Sequence, residues 1–377
     1  MDYGFTTEEE AFRAEVCRFL KGELPSGPEL LPEEDYYALA RRVRAGLGRR
    51  GWLTAGWYPE QGEQGASSIK ELILQEELAY HRAPRGNDHA TNTAGPLIIS
   101  FGTQEQKQRH LEPLAGGEEW WCAAFAEPEA GSDLASLKTR AVIQEKYYVL
   151  SGQKDYVAHA HRSGWCQLLA RTEVGITLFL LDMGSPGIFL NPLTTMSGRT
   201  LCEIFLDDVK VPREQVLGRA GEGWQIAREA LAGSRSGIEY AASARRVLDW
   251  VIEYLASMGP GGRLGPVVRH KLAEAAIDIE VGRLLSYRSA WLRRGSGPAP
   301  NETLLAKLYG SEVAQRVAGT AMEVVSLSGQ LAGGPRWAGL AAAIEDFYLE
   351  SVAGTIYLGS SELLRNTIAI RWLGLTR

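Results

Sequence analysis

The sequence predicts an α+β fold in three parts. Residues 1–117 form an N-terminal α-helical domain, 118–222 a middle antiparallel β domain, and 223–377 a C-terminal helical bundle domain. Two changes of texture carry this expectation. Apolar residues recur at helical spacing up to about Trp120, give way to short β-rich runs between turn residues, and return to helical spacing at Gly223. Punctuation is the third observation: Pro/Gly/Ser-rich breaks at 259–266 and 295–300 part the late helices.

The elements follow in order. TTEEEAFRAEVCRFL puts Phe12, Val16 and Phe19/Leu20 on one helical face. Thr6 or Thr7 caps it, with Glu9 or Glu10 three residues on completing a capping box. Helical spacing continues through DYYALARRVRAGL and SIKELILQEELAY, and TQEQKQRHLEPLAGG reads as a short helix stopped by Pro113 and the glycines. TRAVIQEKYYVLSG, CQLLART, ITLFLLD, GIFLNPL and LCEIFLDDVKVP then read as strands, with a hairpin around Val174–Gly175. WQIAREALAGSRSGIEYAASARRVLDWVIEYLASM is one long helix or two joined. RHKLAEAAIDIEVGRLLSYRSAWLRR and NETLLAKLYGSEVAQRVAGTAMEVVSL are further long helices. No repeat or low-complexity tract interrupts this order.

At 377 residues the chain is long enough for a large core divided among several units. A formal charge of −6 argues against a nucleic-acid binder, which needs a basic face. Cys17, Cys122, Cys166 and Cys202 form no CxxC pair, so neither a zinc nor a redox motif is signalled. With no basic-then-apolar leader and no apolar run of membrane-spanning length, a soluble cytoplasmic protein is the expectation.

Five ordered segments carry the functional reading. They are GPLIISFGTQEQKQRHLEPLAGGE, AEPEAGSDLASLKTRA, LSGQKDYVAHA, FLDDVKVPREQVLGRAGEGW and GTIYLGSSELLRNTIA. In this order and spacing they resemble the acyl-CoA dehydrogenase flavoprotein family over essentially the whole chain. The family patterns for the second, third and last are TEPxAGSDxxxxxTxA, NGxKxWITNG and IYEGTSEIQRNIIA. The resemblance implies a helical domain, a β-barrel-like domain and a four-helix bundle, with FAD at their junction. It also implies a homodimer or homotetramer, re-oxidised by an electron-transfer flavoprotein. No GxGxxG is present, so the FAD would not sit on a Rossmann site.

Family members take two hydrogens from an acyl thioester. A carboxylate removes the α proton and the β hydrogen leaves as hydride to the flavin, while a flavin hydroxyl and one backbone N–H polarise the thioester carbonyl. Tyr357-Leu358-Gly359 stands where the family has Tyr-Glu-Gly, so Leu358 keeps the N–H but cannot be the base. The family's second base position corresponds to Ser234, just before the family arginine at Arg235, and a serine without a partner base is too weak. Glu239 is the next carboxylate on that helix, four residues beyond Arg235 on the same face. Buried among apolar residues, it would gain a pKa suited to a base. The competing reading is an Arg235–Glu239 ion pair. A base there, about 7–8 Å along the helix from Ser234, suits an atom farther from the thioester than the α carbon.

By resemblance the cofactor positions are Phe125, Ala126, Gly131, Ser132, Tyr156, Ala158, Arg263, Glu323, Gly329, Ser360 and Glu362. Several depart from the pattern. Ala126 replaces a threonine, Tyr156 a tryptophan flanking the flavin, and Ala158 a threonine facing flavin N5. EVVSLSG replaces QxxGGxG, and a shortened GGRLGPVV replaces RxxFGxP. Ser132, Ser234, Arg235, Tyr357, Leu358 and Gly359 correspond to substrate positions. His159 and His161, expected on one face of a strand, are read as packed histidines or an alternative base, not as metal ligands. Arginines concentrated at 41–50 are expected on a solvated helix face, or docking an acidic carrier protein or CoA phosphates.

Three functions compete. The first is an FAD-dependent dehydrogenase of an acyl-CoA or acyl carrier protein thioester with a relocated base. It would act in secondary metabolism such as polyketide biosynthesis, with γ,δ rather than α,β desaturation. The second is a non-catalytic subunit paired with a base-bearing chain. The third is a different flavin oxidase or monooxygenase on the same fold.

Overall fold

The structure, a computed structural model, describes residues 4–28, 30–57, 66–84, 87–233, 236–257, 265–296, 300–325 and 338–376. By compactness the chain divides into two units, each built from separated segments. One holds Met1–Leu39, Tyr58–Pro84 and Arg235–Arg377; the other holds Ala40–Trp57 and Arg85–Ser234.

The first unit is helical. It contains α1 (Thr7–Glu23), α3 (Ala66–Tyr80), α7 (Ile238–Ser257), α8 (Pro266–Ser296), α9 (Pro300–Val325), α10 (Ala338–Gly354) and α11 (Ser361–Thr367), while α2 (Glu33–Arg49) precedes α3. The capping box falls where the sequence puts it: Thr6 accepts from the Glu9 amide and the Glu9 carboxylate accepts from the Thr6 amide. α7, α8, α9 and α10 share one core that includes Val247, Trp250, Ile279, Val317 and Ile344. Each such fully buried side chain contributes about 1.5–3 kcal/mol. α1 and α3 lie with α7 and α8 because Ile69, Leu72 and Ile73 pack on Ile238 and Tyr287.

The second unit carries the sheet. Its helices are α4 (Gly95–Phe101), α5 (Gln104–Gly116) and α6 (Gly223–Gly233). Its strands are β1 (Trp121–Ala124), β2 (Arg140–Gln144), β3 (Tyr147–Ala158), β4 (Trp165–Thr172), β5 (Gly175–Asp182), β6 (Ile188–Thr194), β7 (Thr200–Pro212) and β8 (Val216–Leu217). The order is β6-β7-β3-β2-β4-β5-β8, with β1 beside β4. The β4–β5 hairpin closes at Thr172–Gly175 as its turn residues predict. The domain is not purely antiparallel, however: β1 and β2 both pair with β4 in parallel. Those pairings join strands separated by long connections, which local alternation does not encode.

One helix end also differs from expectation. α5 runs through Pro113 to Gly116 and stops at Gly117, whose φ of 76° gives the left-handed cap. The Gly117 and Glu118 amides donate to the carbonyls of Leu114 and Pro113, so the proline sits where its carbonyl, not its missing N–H, is used. The long segment after Trp224 is two helices, α6 and α7. Among the described residues no helix is long and apolar enough to cross a membrane.

Candidate active site

In the sheet unit, β1 delivers the chain to Phe125 and Ala126, and a tight turn follows in which Glu127 and Ala130 exchange two backbone hydrogen bonds. The turn is clamped from inside. Lys154 Nζ is fully buried and donates to Glu127 Oε1 at 2.7 Å and to the Phe125 carbonyl at 3.3 Å. Glu127 also accepts from the amides of Lys138 (2.5 Å) and Thr139 (3.0 Å). Burial alone would raise the Glu127 carboxyl, but these donors hold it below the ordinary carboxylate range; burial pushes the Lys154 ammonium down.

The same clamp sets β3 beside this loop, since the Asp155 amide donates to the Ala126 carbonyl at 3.0 Å. A bulge between Lys154 and Val157 on the β7 side inserts one residue and resets the strand's alternation. Tyr156 takes up the insertion with φ 56° and stands 68% exposed, and Ala158 is exposed on the same strand. Gly131 and Ser132 are exposed in the neighbouring loop, and a Cβ on Gly131 would meet nothing within 4 Å. An outward aromatic face beside loop backbone with open space over it fits a flat heterocycle such as an isoalloxazine. The Asp155–Ala126 hydrogen bond holds Ala126 against β3 next to Tyr156, with Gly131 and Ser132 in the loop that follows.

His159 and His161 are not on a strand. β3 ends at Ala158, His159 is left-handed (φ 59°), and His161 lies in a 3-10 turn with Nδ1 3.6 Å from Cys202 Sγ. The arginines at 41–50 do not share one solvated face either. Arg44 is buried on Asp88 and Thr91, and Arg41 stacks on Trp120.

In the helical unit, α10 ends at Gly354 and the chain turns through Thr355–Ser360 into α11. The Tyr357 amide donates to the Ala353 carbonyl, and the Ser361 amide returns to the Thr355 carbonyl, both at 3.0 Å. Leu358 sits at φ 57° and Gly359 at φ 107°. Left-handed backbone at a leucine is uncommon, and the surroundings must over-determine it. Lys307 on α9 does so: fully buried, it donates to the Gly359 carbonyl at 2.7 Å. Ser360 caps α11, and its neighbour Ser361 Oγ is buried with no hydrogen-bond partner among the described residues. Glu362 is exposed, its carboxyl lowered by its own backbone N–H and the Ser360 hydroxyl.

Glu239 lies in the first turn of α7, half-buried between Ile238 and Tyr240, which are buried. That turn is fixed by close approach: a Cβ on Gly237 (φ 76°) would come within 2.6 Å of the Ala306 backbone. Tyr240 then reaches the loop. Its hydroxyl donates to the Gly354 carbonyl at 3.5 Å, and its ring centroid lies 6.4 Å from that of Tyr357. The start of α7 and the Tyr357-Leu358-Gly359 turn are thus neighbours. Glu323 is exposed and ion-paired to Lys271 at 2.6 Å, an arrangement that spends its charge on a lysine. Ser234, Arg235, Arg263 and Gly329 lie outside the described residues.

Sequence reasoning missed both buried lysines. The available signal was a lysine at an inward position of β3, and a lysine within the apolar stretch LLAKLYG.

Three descriptions match in sequence order: acyl-CoA dehydrogenase N-terminal domain over residues 6–118, middle domain over 122–209, and C-terminal domain over 221–373. The acyl-CoA dehydrogenase FadE34 of Mycobacterium tuberculosis is 34% identical over 92% of this chain, which spans only 47% of that protein. The acyl-CoA dehydrogenase IpdE1 of the same organism is 30% identical over 98% of both chains. Among solved structures, the ChsE4-ChsE5 complex from Mycobacterium tuberculosis is similar along all of both chains, with a TM-score of 0.87 at 28% identity.

Proposed function

The chain belongs to the acyl-CoA dehydrogenase family, whose members are FAD-dependent flavoproteins, and from that premise we propose that it desaturates an acyl thioester using Glu239 as the base. The observation that carries the assignment is the pairing of α7's first turn with the Leu358 turn through Tyr240. Bound FAD supplies the hydride acceptor. Phe125, Ala126, Gly131, Ser132, Tyr156 and Ala158 of the sheet unit would hold it. The Leu358 backbone N–H would polarise the thioester carbonyl, acidifying the proton to be lost. The Leu358 side chain, in place of a carboxylate, keeps the usual α-proton position dry. Glu239 would then take its proton from a carbon deeper along the chain, γ to the carbonyl in a substrate that already carries an α,β double bond.

The test is an anaerobic panel of saturated and α,β-unsaturated thioesters on CoA and on acyl carrier protein. Flavin bleaching and the position of the new double bond are read together. Bleaching by enoyl thioesters with a γ,δ product supports the assignment. Bleaching only by saturated thioesters with an α,β product sinks the regiochemistry.

A second reading has its own support. The ChsE4-ChsE5 structure is a complex of two named chains, and FadE34 is about twice as long as this chain. With Leu358 in the base position, this chain would then be the non-catalytic half of a heteromer. A yellow, self-associated protein purified alone, bleached by thioester, excludes that reading.

A further inference from the structure

Away from the residues discussed above, the helical unit gathers three metal-binding side chains of different type. Cys17 on α1, Glu77 on α3 and His81 just past the end of α3 bring Sγ, a carboxylate oxygen and Nε2 within 4.8 Å of one another. Cys17 Sγ lies 3.0 Å from Glu77 Oε2, and His81 Nε2 lies 3.6 Å from the same oxygen. Tetrahedral zinc, with bonds of about 2.0–2.3 Å to such ligands, sets neighbouring ligand atoms about 3.3–3.5 Å apart. Two of the cluster's edges, 3.0 and 3.6 Å, lie close to that spacing, and the third is within 4.8 Å.

We propose that Cys17, Glu77 and His81 bind a zinc-class divalent cation, leaving the fourth position to water. Thiolate, carboxylate and imidazole together select this borderline class over calcium or magnesium, which take oxygen ligands. The cation displaces the thiol proton to solvent. Thiolate and carboxylate then bring two negative charges against its two positive ones.

The ligands are mounted on fixed backbone. Glu77 and His81 are one helical turn apart, and the chain leaves α3 through a Schellman cap. There the Ala83 amide donates to Leu78 and the Arg82 amide to Ala79, with Arg82 at φ 54°. Arg82 is itself held by Asp346 at 2.9 Å. Behind the site, Arg13 donates to Glu77 Oε1 at 2.5 Å, which orients the carboxylate and leaves Oε2 for the cation. The His81 side chain is 17% exposed, which gives the ion a way in. No local spacing in the sequence signals the site, since Cys17 comes from a different helix.

The test uses the full chain, stripped with chelator and titrated with Co²⁺. A thiolate-to-cobalt charge-transfer band saturating near one equivalent is expected, bleached when Zn²⁺ displaces Co²⁺. The band should vanish in Cys17→Ala and in His81→Ala. The latter removes a partly exposed ring, and its native melt, checked in parallel, keeps the result interpretable. Zn²⁺ should raise the melting temperature of the wild type and not of either variant. No band in the wild type, or a band undiminished in folded His81→Ala, overturns the site.

Discussion

The buried ammonium of Lys307 donates to the carbonyl of Gly359 at 2.7 Å, one residue beyond a leucine held at φ 57°. The hydrogen bond fixes the peptide plane that follows the Leu358–Gly359 pair. Lys307→Met keeps much of the volume but leaves that carbonyl unpaired, at a cost of about 1–3 kcal/mol. Amide hydrogen exchange should speed up across Leu358–Ser361, and the thioester-bleaching rate should fall with it. Unchanged exchange in that turn would show that Lys307 does not hold it.

Glu127 and Lys154 make the matching clamp under the sheet-side loop. Removing one partner strands a buried charge, so Lys154→Ala should destabilise by about 3–5 kcal/mol in thermal melts. The pH dependence has a definite sign. The folded Glu127 carboxyl titrates below its unfolded value, so its contribution is fully present above about pH 4.3, the unfolded carboxyl value, and is lost as pH falls through the folded one. The melting-temperature gap between wild type and Glu127→Gln should therefore be wide at neutral pH and close as pH drops below that point. A gap that persists in acid would mean the carboxylate charge is not what stabilises the turn.

Tyr156 presents an aromatic face that the fold itself does not bury. Tyr156→Ala should leave the apoprotein's melting within about 0.5 kcal/mol of wild type, as for exposed positions generally. Its FAD should nonetheless be lost on gel filtration, while Tyr156→Phe retains it. Equal flavin content in both variants would remove Tyr156 from the cofactor wall.

Much of this was legible from sequence, and the gaps have physical causes. The capping box at Thr6, the β4–β5 hairpin and the long helices follow from strong local signals. α10, the helix expected before the Thr355 turn, took no boundaries from sequence because AGLAAAIEDFYLESVAG is so rich in alanine and other apolar residues that it offers little polar contrast. The parallel pairing of β1 and β2 with β4 is non-local and leaves no trace in alternation. β3 stops at Ala158 and His159 turns left-handed into a 3-10 turn, so the predicted histidine face did not form. Lys154, Lys307 and Arg44 read as surface charges until their partners are seen, because a charge is buried only where distant segments supply acceptors.

Leu358 offers a gain-of-function check. Leu358→Glu restores a carboxylate at the family's base position, on backbone that already holds a non-glycine side chain at positive φ. In a Glu239→Gln background it should confer anaerobic bleaching by saturated acyl-CoA, with α,β product. A folded, FAD-loaded double variant that stays oxidised would mean this turn does not face the thioester as it does in the family.

In the proposed reaction the base stands at Glu239 and not at the Leu358 position. Stopped-flow reduction of the FAD-loaded protein by its best thioester, wild type against Glu239→Gln, tests it most directly. A general base of this kind contributes about 10²–10⁴-fold, so the variant should lose at least 10²-fold in the reduction rate with flavin content and substrate affinity retained. A reduction rate equal to wild type would show that Glu239 is not the base.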